Sequence, residues 1–313
     1  MRAAFVGKGG SGKTTVCALF ARYLAQQHVP VMVIDADINQ HLGRAVEFSA
    51  NGLAAVKPLG EHLPELKTYL AGNNPRIGAG EQMVKTTPPG HGSNLLRLDA
   101  LGPLDALGVT EKGIQLFTTG GFSEDDLGVK CYHSKTGAVE LVLNHLIDGA
   151  GEYVLVDMTA GSDAFASGLF TRFDVTFVVV EPTRQSLDVY HQYKNYANGY
   201  GVQLAVVANQ IADTDDVAYI TAQTGVAPVA ILPASAAVKR MERGQPLIWA
   251  DLGMDAAFAG MRAMLDARVR DWAAYQQQMN DFHTRNAHSW ANAAMGFDLR
   301  TQIDPNYNLD DSI

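Results

Sequence analysis

The chain has 313 residues, a formal net charge of −9 and two cysteines. That length can bury a substantial core and suits one large α/β domain with an appendage, while the acidic balance gives no global electrostatic footprint for nucleic acid or an anionic membrane. No apolar run approaches the roughly 20 residues that span a bilayer, no signal-peptide pattern precedes the first strand, and two cysteines cannot make a disulfide framework. Cytoplasmic residence is the expectation, with neither membrane nor nucleic acid as a partner.

Ala3 to Val6 reads as a buried strand, and Val16, Leu19, Phe20, Tyr23 and Leu24 fall on one face of a helix. Between them runs Gly7-Lys8-Gly9-Gly10-Ser11-Gly12-Lys13-Thr14-Thr15, a full match to G-x-x-x-x-G-K-[ST]. Glycines let the backbone curl so that the N–H groups from Gly9 to Thr15 face phosphate oxygens, and the helix adds its positive end. Lys13 then reaches the β- and γ-phosphates, and the Thr14 hydroxyl is suited to Mg²⁺. A bare Gly-rich turn would require neither Lys nor Thr at those places. Cys17, on the same helix, reads as core packing.

The second strand, Val31 to Asp35, ends in Asp35-Ala36-Asp37-Ile38-Asn39. On an extended ending Asp35 and Asp37 point to the same side, where one can help hold magnesium-bound water and the other can position the attacking water. Between Gly43 and Gly113 the alternation weakens and Gly, Pro and Asn accumulate. The spacing predicts a helix over Leu63 to Leu70 and an edge strand over Asn94 to Leu98 in this loop-rich flap, about 44–113.

Further apolar runs at Ile114 to Thr118, Tyr153 to Met158, Val175 to Val180, Leu204 to Asn209 and Val229 to Leu232 lack polar alternation, as strands buried on both faces do. Helical faces lie between and after them, one over Ala138, Leu141, Val142, His145 and Leu146, another over Met254, Phe258, Met261, Leu265 and Trp272. The pattern predicts a three-layer, doubly wound, mostly parallel sheet of the P-loop NTPase kind, with its ligand at the carboxyl ends of the strands. The run Tyr153 to Met158 carries Asp157 at its end, followed by Thr159-Ala160-Gly161. A carboxylate there can hold the magnesium shell, and Gly161 allows close backbone approach to the γ-phosphate. The main domain is expected over 1–274. The Gln- and Asn-rich residues 275–313 read as a helical, weakly ordered acidic extension, or as a docking segment built on Trp290, Met295 and Phe297.

The second lysine, Lys8, makes the loop K-G-G-x-G-K-T-T, which resembles the deviant Walker A motif of the ParA/MinD, nitrogenase iron protein and nickel-insertion ATPases (the SIMIBI class). The resemblance implies an ATP-sandwiched homodimer in which Lys8 reaches the partner's nucleotide. It assigns water positioning to Asp37 and Mg²⁺ support to Asp35, and it gives Asn209 the role of reading adenine, with Pro233 closing the other side. Together with Asp157-Met158-Thr159-Ala160-Gly161, the segment Glu181-Pro182-Thr183-Arg184-Gln185-Ser186-Leu187 is similar to the CooC-like branch, the ATPases of carbon monoxide dehydrogenase maturation. The similarity runs roughly from Met1 to Asp251.

In that branch a C-x-C motif binds metal at the dimer interface. The matching place here is Cys131-Tyr132-His133. A Cys and a His two apart can point the same way on an extended backbone, and two protomers would offer a Cys₂His₂ set suited to Zn²⁺ or, with adjustment, Ni²⁺. A buried Cys and a surface His with no ligand is the plainer alternative. The resemblance thus implies a Mg²⁺-dependent ATPase that delivers metal to, or helps mature, a client metalloenzyme. A positioning or partition ATPase of the ParA/MinD type is the alternative, although its basic DNA-binding face or amphipathic membrane helix is not visible. An electron-donating iron protein would need two cluster cysteines per protomer, and only Cys131 is in reach.

Overall fold

The computed structural model describes residues 1–121, 133–165 and 167–312. Its strands, in chain order, are β1 (Arg2–Gly7), β2 (Val31–Ala36), β3 (Leu96–Arg97), β4 (Val109–Glu111), β5 (Ile114–Thr118), β6 (Leu146–Ile147), β7 (Tyr153–Met158), β8 (Val175–Val180), β9 (Leu204–Ile211) and β10 (Ala230–Pro233). The helices are α1 (Lys13–Gln26), α2 (Leu42–Ala45), α3 (Ala50–Ala55), α4 (Leu63–Ala71), α5 (His133–His145), α6 (Arg184–Ala197), α7 (Thr214–Thr224), α8 (Ala236–Glu242), α9 (Asp255–Asp266), α10 (Trp272–Asn286) and α11 (Asn292–Met295).

Among the described residues, eight strands form one sheet in the order β10-β9-β8-β1-β7-β2-β5-β4, parallel except for the β4–β5 pair. This is the doubly wound, mostly parallel architecture expected from the uninterrupted apolar runs. Successive side chains alternate between two cores. Ala4 and Val6 of β1 join the cluster that includes Leu66, Leu141 and Tyr190, whereas Ala3 and Phe5 join the one that includes Phe20, Phe258 and Leu265. Helices α4, α5 and α6 therefore cover one face and α1 and α9 the other, giving three layers. Each fully buried Leu or Phe in these layers contributes about 1.5–3 kcal/mol relative to exposure.

Helix starts follow local chemistry. Thr183 caps α6 by accepting from Ser186 N, Asp213 caps α7 through Asp215 N and Asp216 N, and Asp271 caps α10 through Ala274 N; each satisfies donors that a helix leaves open. The chain leaves β1 for β2 on one side of the sheet and leaves β7 for β8 on the other. The reversal puts the switch point at β1 and β7, where a ligand crevice forms outside the carboxyl ends.

The expected edge strand over Asn94 to Leu98 is shorter in the structure. The chain doubles back as Arg97 pairs with Ala100, so only Leu96–Arg97 remains extended, and it pairs with β6 rather than with the main sheet. Residues after 270 lie against the same side. Trp272, Tyr275 and Met279 cluster with Ile147 and Leu309, while Ala287, Ala291 and Leu299 cluster with Val84. Buried His283 contacts Thr86 Oγ1 at 3.1 Å and Leu299 O at 2.9 Å, and Thr87 donates to Gln302 at 3.0 Å. At the amino ends of the strands, Asp148 meets Arg2 at 2.6 Å and Arg270 at 2.8 Å, and Arg270 also meets Asp174 at 2.6 Å. Among the described residues no helix is long and apolar enough to cross a membrane.

Candidate active site

The loop between β1 and α1 lies at the switch point. Unlike α6, α7 and α10, α1 opens with no side-chain cap, at Gly12 with φ +86°, so its first-turn N–H groups remain available for an anion. A side chain at Gly12 would also collide, since a Cβ there would lie 2.4 Å from Asn209 Nδ2. That amide donates to Ser11 O at 2.8 Å and braces the loop from β9. Gly9 and Gly10 are exposed, while Ser11 and Lys13 are buried.

Three carboxylates gather around Lys13. In the parallel register Asp35 of β2 stands level with Asp157 of β7, and Asp37 follows just beyond β2. Lys13 Nζ bonds Asp37 and lies 3.6 Å from Asp157 Oδ1. Thr14 Oγ1 donates to Asp157 Oδ2 at 2.5 Å. The other oxygen, Asp157 Oδ1, is buried and has no hydrogen-bond partner. Asp35 spends both oxygens on backbone, accepting from Leu42 N at 2.8 Å and Asp37 N at 3.2 Å, and so shapes the turn that presents Asp37. Asn39 donates to Asp37 Oδ1 from its backbone at 2.9 Å and its side chain at 3.0 Å.

The electrostatics follow from one cation among three acids. Burial would lower the Lys13 pKa, but Asp157 and Asp37 outweigh it and the net shift is upward. Burial would raise Asp37, but the bond from Lys13 overcomes it and holds this carboxyl below its ordinary value. Asp35 and Asp157 are pushed up, chiefly by burial, with Asp157 adding repulsion at Asp35 and Lys13 opposing the rise at Asp157. Such a site has an excess of negative charge and one orphaned carboxylate oxygen, a donor set that fits a divalent cation.

Beside the loop is a cavity of about 200 Å³ whose lining includes Gly12, Asn209, Pro233, Val238 and Met254. Apolar walls from Val16, Leu19, Leu232 and Met254, with the Asn209 and Gln210 amides beside them, suit a flat heteroaromatic ring. A second cavity, of about 170 Å³, lies against Asp37 between the ends of β2 and β7. Lys8, one-third exposed, is 4.0 Å from Glu181 Oε2, and Glu181 Oε1 accepts from Gln210 at 3.0 Å. Thr15 Oγ1 bonds Glu242 at 3.2 Å. Cys17 is buried, and burial raises its thiol pKa well above the ordinary value, as suits packing. Cys131 lies outside the described residues; His133 opens α5, with its side chain outside the described set.

The structure thus brings together Lys13, Thr14, Asp35, Asp37 and Asp157, and places Asn209 and Pro233 on the neighbouring cavity. The sequence assigns Met254 to a helical apolar face and gives Val238 and Glu242 no place at the site. A lone Glu at a helix end and two ordinary apolar residues carry no local signal, and they reach the loop only because α8 and α9 pack near α1.

A phosphate loop, strand-end carboxylates on adjoining strands and an apolar side cavity define a P-loop nucleotide hydrolase. The sequence profile of the CobQ/CobB/MinD/ParA nucleotide binding domain matches residues 3–247, and the chain belongs to that family, as an ATP hydrolase. It is 31% identical over 221 residues to the carbon monoxide dehydrogenase accessory protein CooC of Rhodospirillum rubrum, covering 70% of this chain and 78% of that one. It is 28% identical over 218 residues to an uncharacterised ATP-binding protein of Methanocaldococcus jannaschii, covering 69% and 77%. Among solved structures, the septum site-determining protein MinD of Pyrococcus horikoshii in complex with Mg-ADP superposes with a TM-score of 0.54 over 85% of this chain and 95% of that one, at 14% identity, a likeness of fold.

Proposed function

We propose that the chain is a Mg²⁺-dependent ATPase that closes as an ATP-bound homodimer and acts as a maturation or metal-delivery accessory factor for a client metalloenzyme. The observation that carries the dimer is Lys8. The loop's second lysine stands with Glu181 at the rim, not with Lys13 among the three acids. A cation on the rim of its own cradle is available to a nucleotide held by a second copy. Similarity to CooC supports the accessory role.

Arriving phosphates draw Lys13 away from Asp37, exchanging one anionic partner for another. Asp37, kept ionised and oriented by Asn39, then faces the attacking water. Mg²⁺ is usually held by one or two carboxylates together with phosphate and water. Thr14 and Asp157 are the residues that fit it, with Asp35 fixing the turn beside them. Bound there, the ion supplies charge neutralisation for the β- and γ-phosphates. Lys13 and Lys8 of the second copy stabilise charge on the transferring group. Asn209 and Pro233 hold adenine in the side cavity, and domain 1–274 works with extension 275–313 as its appendage.

Lys8→Ala should abolish ATP-induced dimerisation, read by light scattering, and lower phosphate release by about 10²-fold or more, with ATP affinity in the monomer changed little. Dimerisation and turnover at wild-type levels would remove the cross-subunit role. For the cargo, Cys131 and His133 are proposed to bind Zn²⁺ or Ni²⁺ as a shared Cys₂His₂ set. Protein purified anaerobically with ATP should then contain more of either metal than Cys131→Ala or His133→Ala. Equal metal content in all three, by elemental analysis, would sink the delivery half of the reading.

A further inference from the structure

We propose that a groove between α6, α10 and the segment following Asp157 docks an acidic, aromatic-bearing peptide segment of a partner protein, and that its grip changes with nucleotide state. The nucleotide dependence rests on the ATPase cycle proposed above; the docking itself rests on the groove.

The groove encloses about 710 Å³ and is lined by Phe165, Phe170, Tyr196, Tyr200 and Phe282, with Lys85 and Arg285 on its walls. Tyr196 is 50% exposed. At the rim Trp290 is 47% exposed, its indole N–H held by Asn286 Oδ1 at 2.9 Å. Half-exposed Tyr and Trp beside an Arg are the residue types that dominate binding energy at protein interfaces. Charge selects the occupant. The chain has a net charge of −9, yet the described lining includes two cations and no carboxylate. Beneath Gly168 the buried Glu140 carboxyl faces both Arg172 and Lys85, one acid between two cations, so this set stays positive and Arg285 adds to it. Arg285 is also preorganised, donating to Tyr200 Oη at 2.9 Å and lying 5.1 Å from the Phe282 ring centre. The shape and residues fit aromatic anchors flanked by Asp or Glu.

One wall is tied to the catalytic centre. The single 3-10 turn Gly161–Phe165 follows directly from the strand that ends near Asp157. Tyr193 donates to Gly161 O at 2.7 Å, and the Phe165 ring lies 4.8 Å from Tyr193, 5.3 Å from Tyr196 and 4.6 Å from Phe170. A shift at the strand end on nucleotide exchange must therefore move the aromatic wall. The opposite wall, α10, lies beyond residues 3–247 matched by the family profile. The groove is thus assembled from the segment that follows Asp157 and from a helix outside the residues matched by the family profile.

The test pans a random peptide display library on the full-length protein with ATP, then measures the selected peptides, fluorescein-labelled, by anisotropy. Selected peptides should combine Asp or Glu with Phe, Tyr or Trp. Their Kd should rise about tenfold or more in Tyr196→Ala and in Arg285→Glu, two variants on separate helices at exposed positions, with ATP hydrolysis and thermal melting unchanged. Their Kd should also differ about fivefold between ATP and ADP. Selection of no acidic aromatic peptides, or binding at the wild-type Kd by both variants, overturns the groove. Equal Kd with ATP, with ADP and without nucleotide overturns the coupling. Absence of ATP hydrolysis in the wild type is a failure of the ATPase cycle proposed above, and it is distinguishable because groove-dependent binding without nucleotide is measured separately.

Discussion

Asp37→Asn is expected to lower kcat for ATP by about 10²–10³-fold, the range for loss of a group that orients and deprotonates a nucleophile, while ATP affinity stays level or tightens. The two effects have one origin. Without nucleotide, Asp37 is the hydrogen-bonded ion partner of Lys13, so phosphate must compete with this carboxylate for the ammonium. Asparagine keeps the shape and the bonds from Asn39 but removes the charge, and Lys13 is released more readily. With the carboxylate gone, nothing at this position can accept a proton from the attacking water. Equilibrium binding of a fluorescent ATP analogue and single-turnover phosphate release separate the two effects. A kcat within about threefold of wild type, or affinity lost in step with kcat, would show that Asp37 acts only as a structural partner of Lys13.

Lys13→Ala gives the complementary result. That substitution removes the proposed phosphate contact, so affinity and turnover should fall together. The contrast between the two variants therefore assigns the ion pair better than either does alone, because both break the same contact yet differ in what remains to meet the substrate.

The parts of this site that could be read in the sequence are the contiguous ones. The phosphate loop is a single string from Gly7 to Thr15, and Asp35, Asp37 and Asp157 each end an apolar run. Those runs are legible because strands buried on both faces lose polar alternation: Tyr153–Met158 and Val175–Val180 are buried throughout and begin and end where the apolar composition does. Strands β4 and β6, of three and two residues, are too short to show any period. The side cavity was half legible. Pro233 ends β10 and Asn209 lies two residues before the end of β9, whereas Val238 and Met254 join them through helix packing that no local pattern encodes. The aromatic groove was still less readable, since Phe165, Tyr196 and Phe282 come from three separate segments and each looks like an ordinary core residue in its own surroundings.

Asp148→Ala is expected to destabilise the fold by about 3–5 kcal/mol, the cost of breaking a buried ion set by removing one partner. Asp148 is fully buried with Arg2, which is also fully buried, and Arg270 binds Asp148 through two nitrogens at 2.8 and 2.9 Å. Removing the carboxylate leaves Asp174 as the one acid beside two guanidinium groups and the Met1 ammonium, which also binds Asp148 at 2.6 Å. The loss reaches beyond the pair. Arg2 begins β1, and Arg270 immediately precedes α10, whose rings Trp272 and Tyr275 lie 4.4 and 5.7 Å from the Arg270 guanidinium. The same cluster therefore fastens both the central strand and the helix that walls the aromatic groove. Burial alone would raise the Asp148 pKa, but Arg2 and Arg270 hold it well below the ordinary carboxylate value. Its contribution is consequently present in full above the unfolded pKa of about 3.9 and is lost as pH falls through the folded value. The wild type should lose stability along this acid arm, and Asp148→Ala should show less of it. At neutral pH the urea midpoint should drop on the order of 1 M, while ATP affinity, measured well below the transition, stays near wild type because the cluster lies at the opposite ends of the strands from the phosphate loop. A midpoint unchanged at neutral pH would mean that Asp174 alone suffices to hold Arg2 and Arg270.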